Sequence, residues 1–182
     1  MVDLTLRSRR DVLRLAGGLA AGALVGTRGA LAATVGATRA LSLYAVNTGE
    51  HLSVEYFRAG AYEPQALAAV KRLFRDHYND ETHVIDAALL DRLYGVTRVL
   101  GTREAVHVVC GYRSPSTNAM KPHGHGGAAS NSFHLTGRAV DVFLADRDLS
   151  QIRTAALQMG GGVGYYPQSG FVHLDTGPTR TW

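Results

Sequence analysis

The chain has 182 residues, of which 46% are hydrophobic and 19% are charged, and its formal net charge is +4. Five arginines and two aspartates lie in residues 1–32, so most of the positive charge belongs to that segment. The other residues, about 150, are nearly neutral and fit one compact domain. They contain no basic stripe for a phosphate backbone, which excludes nucleic acid as a partner.

Residues 1–32 have the features of an export signal. Arg9 and Arg10 are adjacent, residues 15–26 form a mildly apolar run, and Ala30-Leu31-Ala32 is a small-residue cleavage site. The apolar run is too short to span a bilayer comfortably. We therefore expect a twin-arginine signal, a mature domain of residues 33–182 in the periplasm, and no stable membrane insertion after cleavage. A general secretory signal and an uncleaved anchor are the alternatives.

The first elements of the domain are a hairpin and two helices. Apolar and polar residues alternate over 40–46 and 52–57 around Asn47-Thr48-Gly49, which predicts a β-hairpin. Pro64 fits a helix first turn, and apolar residues then recur at helical spacing as far as Tyr78. A second helix is predicted from Asp86 to Leu100, ended by Gly101.

The second half of the domain is mainly strands. We expect strands at 106–112, 138–144, 163–166 and 171–175, with a helix from Asp148 or Ser150 to Met159. This order predicts an α+β fold with a mainly antiparallel sheet and helices packed on one side.

Residues 114–131 are rich in glycine, serine and histidine and are predicted to form a lid beside a cleft. Lys121, His123 and His125 either are solvated loop residues or contact a metal or substrate. The single cysteine, Cys110, is expected to pack as a small apolar residue, with a catalytic thiol as the second interpretation.

Two histidines and an aspartate in the strand region suggest a metal site. Strand alternation puts His173 and Asp175 on one face, with Val172 and Leu174 on the other. In the same way, Asp141 points to one face of its strand, and Val140 and Val142 point to the other. Thr136-Gly137 allows a bend that returns His134 towards Asp141. Two imidazoles and a carboxylate suit zinc, and three protein ligands leave its fourth position open for catalysis. Alternatively, each is an ordinary buried histidine or turn aspartate.

Several separated motifs resemble one protein family. They are Gly-Tyr-Arg-Ser at 111–114, Ser-x-His-x-x-Gly-x-Ala-x-Asp at 132–141, and the blocks 161–167 and 171–178. The chain is similar in these motifs to the lysostaphin, D-Ala-D-Ala peptidase and sonic hedgehog group of zinc metallopeptidases, and within it to periplasmic murein endopeptidases.

This resemblance implies one Zn²⁺ per chain, in a cleft on the sheet face. His134, Asp141 and His173 would be its ligands. Arg113 would stabilise the oxyanion or bind a substrate carboxylate.

The resemblance does not identify the general base. Other members of the group carry a glutamate or a histidine shortly before the last zinc-binding histidine, where this chain has Gly170 and Phe171. Asp175 is either the base or an acceptor that orients a ligand imidazole. Tyr112, Tyr165 and Tyr166 are candidates for lining the cleft.

The implied partners are the stem peptides of peptidoglycan. The expected activity is endopeptidase cleavage of peptide cross-links, with diaminopimelate–diaminopimelate links as candidate bonds. The alternatives are a D-Ala-D-Ala-type carboxypeptidase and a zinc protein that binds cell-wall peptides without cutting them.

Overall fold

The computed structural model describes residues 38–120 and 131–182. The predicted export signal, Lys121, His123 and His125 lie outside the described residues. No helix within the two described ranges is both long enough and apolar enough to cross a membrane.

The described strands form one eight-stranded sheet in the order β3-β2-β1-β4-β5-β7-β6-β8. Its strands are β1 (Arg39–Ala45), β2 (Glu50–Arg58), β3 (Ala61–Tyr62), β4 (Val106–Cys110), β5 (Ala139–Leu144), β6 (Gly162–Tyr166), β7 (Phe171–Asp175) and β8 (Arg180–Thr181).

The helices in the same ranges are α1 (Pro64–Leu73), α2 (Ala87–Leu100), α3 (Pro115–Ala119), α4 (Leu149–Gln158) and a 3-10 helix (Phe133–Thr136).

The α+β class is confirmed, but the expectation of a mainly antiparallel sheet needs correction, because the sheet is mixed. β1 runs parallel to β4, and β6 runs parallel to β8. The chain between β1 and β4 contains α1 and α2, which is the long connection that parallel neighbours need. Local alternation predicts where a strand lies but not which strand becomes its neighbour.

Most local predictions are confirmed, with shifted ends. The hairpin forms between β1 and β2 around Gly49, whose φ is 73°. In α2, the Asp86 side chain accepts a hydrogen bond from the Ala88 amide at 3.0 Å, and Gly101 ends the helix in the left-handed conformation. The first helix stops at Leu73, so Tyr78 lies beyond it.

The two faces of the sheet differ in character. Val140, Val142, Val172 and Leu174 belong to one buried apolar cluster that includes residues of α1, α2 and α4. The helices therefore cover this face, and burial of the cluster stabilises the fold. The side chains that alternate with these valines and leucine point to the other face.

Candidate metal centre

The centre is built on two paired strands in the middle of the sheet. Asp141 on β5 lies directly opposite His173 on β7 in the antiparallel register. Both alternate with core residues, so they share the face that the helices do not cover. The Nδ1 atom of His173 is 2.8 Å from Oδ1 of Asp141.

His134 reaches this pair from the 3-10 helix. Ser132 caps that helix, and Gly137 ends it at a φ of 66°, in the left-handed region. The Nδ1 atom of His134 is 2.7 Å from the carbonyl oxygen of Gly111, which can only accept a hydrogen bond. Nδ1 is therefore the donor, and Nε2 is the ring atom that points to Asp141 and His173.

Three donor atoms meet at the spacing that zinc requires. The Nε2 atom of His134 is 3.2 Å from Nδ1 of His173 and 3.3 Å from Oδ1 of Asp141. Nδ1 of His173 and Oδ1 of Asp141 are 2.8 Å apart. Tetrahedral zinc with bonds of about 2.0–2.1 Å has ligand–ligand edges of about 3.3 Å. The residues therefore fit a zinc ion.

The charges at these residues are coupled. Burial disfavours the charged imidazole, but the carboxylate of Asp141 and the thiol of Cys110 raise the pKa of His134 well above its ordinary value. Burial also opposes ionisation of Asp141, yet His134 and His173 hold its pKa well below the usual range. A buried carboxylate held as an anion beside two imidazoles is a donor set for a divalent cation.

The outer nitrogen of His173 is held by Asp175. Its Nε2 atom is 3.1 Å from Oδ2 of Asp175, which is fully buried. Arg180 donates to both oxygens of this carboxylate, at 2.6 and 3.0 Å, and the amide of Gly177 donates to Oδ1 at 2.8 Å. A ligand imidazole oriented by a carboxylate in this way keeps its other nitrogen free for metal.

Arg113 lies at the edge of the same centre. Its Nη2 atom is 4.0 Å from Oδ2 of Asp141 and 3.5 Å from Sγ of Cys110, and its Nη1 atom donates to Asn118 at 3.3 Å. The Arg113 amide also donates to the carbonyl of His134 at 3.2 Å, which ties the two segments together. A guanidinium thus lies beside the proposed ligands.

Cys110 belongs to this centre as well, which sequence reasoning missed. An irregularity in β4 after Val108 brings Cys110 opposite Asp141, and Cys110, His134 and Asp141 offer ligand atoms within 4.8 Å of one another. This cluster does not contain His173, but the Nδ1 atom of His173 is 2.8 Å from Oδ1 of Asp141 and 3.2 Å from Nε2 of His134. We favour His173 on those distances. Cys110 is a neighbour of the centre and not only an apolar packing residue.

The proposed cleft tyrosines are not placed together. Tyr165 lies opposite Val172, on the face that the helices cover, with the guanidinium of Arg153 from α4 5.3 Å from its ring. The expectation that Tyr165 lines the cleft therefore needs correction, because strand alternation turns it away. Tyr112 is buried and stacks on His83 at 5.2 Å, whereas Tyr166 lies on the site face.

Two residues at the end of the chain also join the site. Arg180 holds Asp175, and the ring of Trp182 lies 5.3 Å from that of His173. The two-residue strand β8 places both, by pairing with β6. A strand of two residues shows no alternation of polar and apolar residues, so the sequence did not predict it. The positions of Arg180 and Trp182, a few residues after the Val-His-Leu-Asp motif, could have indicated that they lie near the site.

Known proteins are similar in sequence to this chain over most of its length. A family model described as Peptidoglycan L,D-endopeptidase MepK matches residues 33–182. The probable peptidoglycan L,D-endopeptidase MepK of Haemophilus influenzae is 42% identical over 146 residues, which cover 79% of this chain and 78% of that protein. Those of Escherichia coli K12 and Shigella flexneri are 42% identical over 177 residues, covering 96% of this chain and 97% of each relative.

Proposed function

This chain belongs to the peptidoglycan L,D-endopeptidase MepK family, and on that premise we propose that it is a zinc-dependent endopeptidase that hydrolyses peptide cross-links between the stem peptides of peptidoglycan. One observation carries the proposal: the donor atoms of His134, Asp141 and His173 lie 2.8–3.3 Å apart on the face of the sheet that the helices leave free. Three such ligands leave the fourth zinc position for water or substrate.

His134, Asp141 and His173 would hold the zinc. The ion supplies Lewis-acid polarisation of the scissile carbonyl and a lowered pKa for water. The protein's own part is to present three preorganised donors. Gly111 fixes the ring of His134, and Asp175 fixes the ring of His173. Such preorganisation costs no rearrangement during the reaction.

Arg113 is the proposed electrostatic group of the reaction. Its guanidinium is largely buried beside Asp141, with a side-chain exposure of 12%. From there it would stabilise negative charge on the tetrahedral intermediate or bind a stem-peptide carboxylate. Both roles require a positively charged group close to the ligands, and the planar guanidinium of Arg113 suits the oxygens of a carboxylate or an oxyanion.

Asp175 is proposed to orient His173. Its two oxygens already accept from Arg180, Gly162 and Gly177 as well as facing His173. Taking a proton from water would require this buried carboxylate to give up part of that arrangement. These contacts favour the orienting role over the general-base role.

Export by the twin-arginine pathway is part of the proposal, on the evidence of Arg9, Arg10 and the apolar run that follows them. Replacing both arginines by lysine should stop processing and leave the protein in the cytoplasm, as measured by fractionation. Unchanged export of the double-lysine variant would instead favour the general secretory route.

The direct test is digestion of purified peptidoglycan. Residues 33–182 would be incubated with cross-linked sacculi, with and without a chelator, and the released muropeptides identified by mass spectrometry. We expect cross-linked dimers to become monomers, loss of this activity with chelator, and its return with added zinc. His134→Ala is the matched control without a metal ligand.

The fragment masses would identify the bond. Release of terminal D-alanine alone would mean carboxypeptidase activity. Binding without any product from a zinc-loaded sample would mean a non-catalytic wall protein. Either result would contradict the endopeptidase proposal.

A further inference from the structure

A row of aromatic and imidazole rings crosses the open face of the sheet. The register aligns His51 with Tyr44, Tyr44 with His107, and His107 with Phe143. Tyr166 pairs with Phe171 farther along the sheet. We call this set the aromatic row: His51, Tyr44, His107, Phe143, Phe171 and Tyr166.

Ring contacts join the row into two groups, one from His51 to Phe143 and the other formed by Phe171 and Tyr166. The ring centroids of Tyr44 and His51 are 4.4 Å apart, those of Tyr44 and His107 are 5.0 Å apart, and those of His107 and Phe143 are 4.5 Å apart. Those of Phe171 and Tyr166 are 4.8 Å apart. His51 is exposed and the others are partly exposed, so the row is an available surface rather than core.

The row runs beside the proposed zinc ligands. Phe143 lies two positions from Asp141 on β5, and Phe171 lies two positions from His173 on β7. Because a strand rises about 3.3 Å per residue, the row passes about 7 Å from the ligand pair. Six neighbouring strands give it a length of about 24 Å.

Trp182 connects the row to the centre. Its Nε1 atom donates to the Tyr166 hydroxyl at 2.7 Å, while its ring lies 5.3 Å from that of His173. Gly164, which pairs with His173, leaves the space that these rings use, since a Cβ there would lie 2.8 Å from both Trp182 and Tyr166. The surface is therefore continuous with the centre.

We propose that the aromatic row binds the glycan strand of the substrate, stacking its sugar rings while the attached stem peptide reaches the centre; this inference rests on the proposed function. The C–H faces of pyranose sugars stack on aromatic rings, and phenol and imidazole groups can hydrogen-bond to sugar hydroxyl and amide groups. A row of this length accommodates several sugar units.

The lack of charge around the row favours a sugar as its ligand over an anionic lipid surface or a peptide carboxylate. The positions that flank the row on the same face of β1 and β2 are Ser42 and Ser53, which are paired with each other and carry no charge. An anionic lipid surface or a stem-peptide carboxylate would need basic groups for strong attraction. A neutral, N-acetylated sugar chain needs only stacking and neutral hydrogen bonds.

The test compares the activity of residues 33–182 on two substrates. One is a cross-linked muropeptide dimer with its glycan attached, and the other is the same peptide dimer freed of sugar. We expect Tyr44→Ala to lower kcat/KM for the glycan-bearing dimer about three- to tenfold, the range for losing an aromatic contact, and to leave the sugar-free dimer unchanged. Tyr44→Phe should retain most of the activity on both, and Tyr78→Ala, which removes an exposed tyrosine outside the sheet, is the matched control.

A second measurement does not depend on catalysis. The β-1,4-linked tetramer of N-acetylglucosamine would be titrated into the protein and followed by NMR. Shifts at His51 and His107 in the wild type that disappear in Tyr44→Ala support the proposal even if no bond is cut. The proposal would be overturned if Tyr44→Ala lost activity equally on both substrates or if the tetramer caused no shifts. It would also be overturned if the row instead mediated self-association or vesicle binding. Failure of the wild type to cut either dimer, with the tetramer shifts still present, would count against the proposed function alone.

Discussion

His173 shows most clearly how single residues build the centre. One ring nitrogen faces Asp141 at 2.8 Å and the other faces Asp175 at 3.1 Å. The two carboxylates therefore fix the ring from both sides. Only the nitrogen that faces Asp141, Nδ1, also faces His134. Nδ1 is therefore the proposed metal-binding atom, and Nε2 is the atom through which Asp175 orients the ring.

The Asp175→Asn variant distinguishes the two roles considered for Asp175, orienting His173 and acting as the general base. An amide keeps the shape but loses the charge, so we expect weaker zinc binding, by about 10- to 100-fold, because His173 loses its orienting partner. Zinc affinity would be measured by competition with a chromophoric chelator. Unchanged zinc affinity together with lost turnover would assign the base role to Asp175 instead.

Arg113→Ala should lower turnover without lowering zinc affinity. Arg113 is not a proposed ligand, so the variant should bind zinc like the wild type. Turnover of cross-linked muropeptides should fall by about 100-fold or more, the usual cost of removing a group that stabilises transition-state charge. Arg113→Lys is the control that retains the positive charge without the planar fork. Loss of zinc from Arg113→Ala would contradict the assigned role.

At the level of elements, a buried aspartate outside the centre holds the segment that carries Arg113. Asp76, which follows α1, accepts hydrogen bonds from the amides of Ser114 at 2.8 Å and Tyr78 at 3.0 Å. Burial raises the pKa of Asp76, but these amides and the Thr117 hydroxyl outweigh it, and the net pKa lies below the usual value. Asp76 thus joins α1 to the start of α3.

Asp76→Asn should destabilise the fold near neutral pH by about 1.5–3 kcal/mol, the range for hydrogen bonds to a charged group. Because the folded pKa is lowered, the wild-type contribution is complete above the unfolded pKa of about 3.9 and is lost as the pH falls through the folded value. The difference in free energy of unfolding should therefore shrink below about pH 4. Urea denaturation at several pH values would measure it. A difference independent of pH would refute the charge argument.

At the scale of the whole molecule, the proposed ligands lie on two central strands and a 3-10 helix. An ion bound there would connect segments far apart in the chain, and it would bind only the folded state. Mass action then stabilises the fold by about 2.7 kcal/mol when free zinc is 100 times its Kd.

Zinc should accordingly raise the Tm, and a chelator should lower it, by several degrees in thermal denaturation. Cys110→Ser is the variant that tests the ligand set. If His134, Asp141 and His173 are the ligands, the zinc-dependent rise in Tm should persist in Cys110→Ser and vanish in His173→Ala. The reverse pattern would assign the site to the cluster of Cys110, His134 and Asp141.

The sequence alone determined the local features, because their causes are local. Asp86 and Gly101 mark the ends of α2 by capping, and alternation in 171–175 puts His173 and Asp175 on one face. Strand alternation and the bend at Thr136-Gly137 predicted that His134 could return towards Asp141, while the assignment of His134, Asp141 and His173 as zinc ligands came from the family resemblance.

Only the tertiary structure decided what each side chain meets. Strand order and register made the sheet mixed, turned Tyr165 towards the helices, and brought Cys110 opposite Asp141 through an irregularity in β4. Pairing of β8 with β6 brought Arg180 to Asp175 and Trp182 to His173. These contacts depend on which strands pair and at what offset, and that choice is made by burial of the whole core rather than by neighbours in sequence.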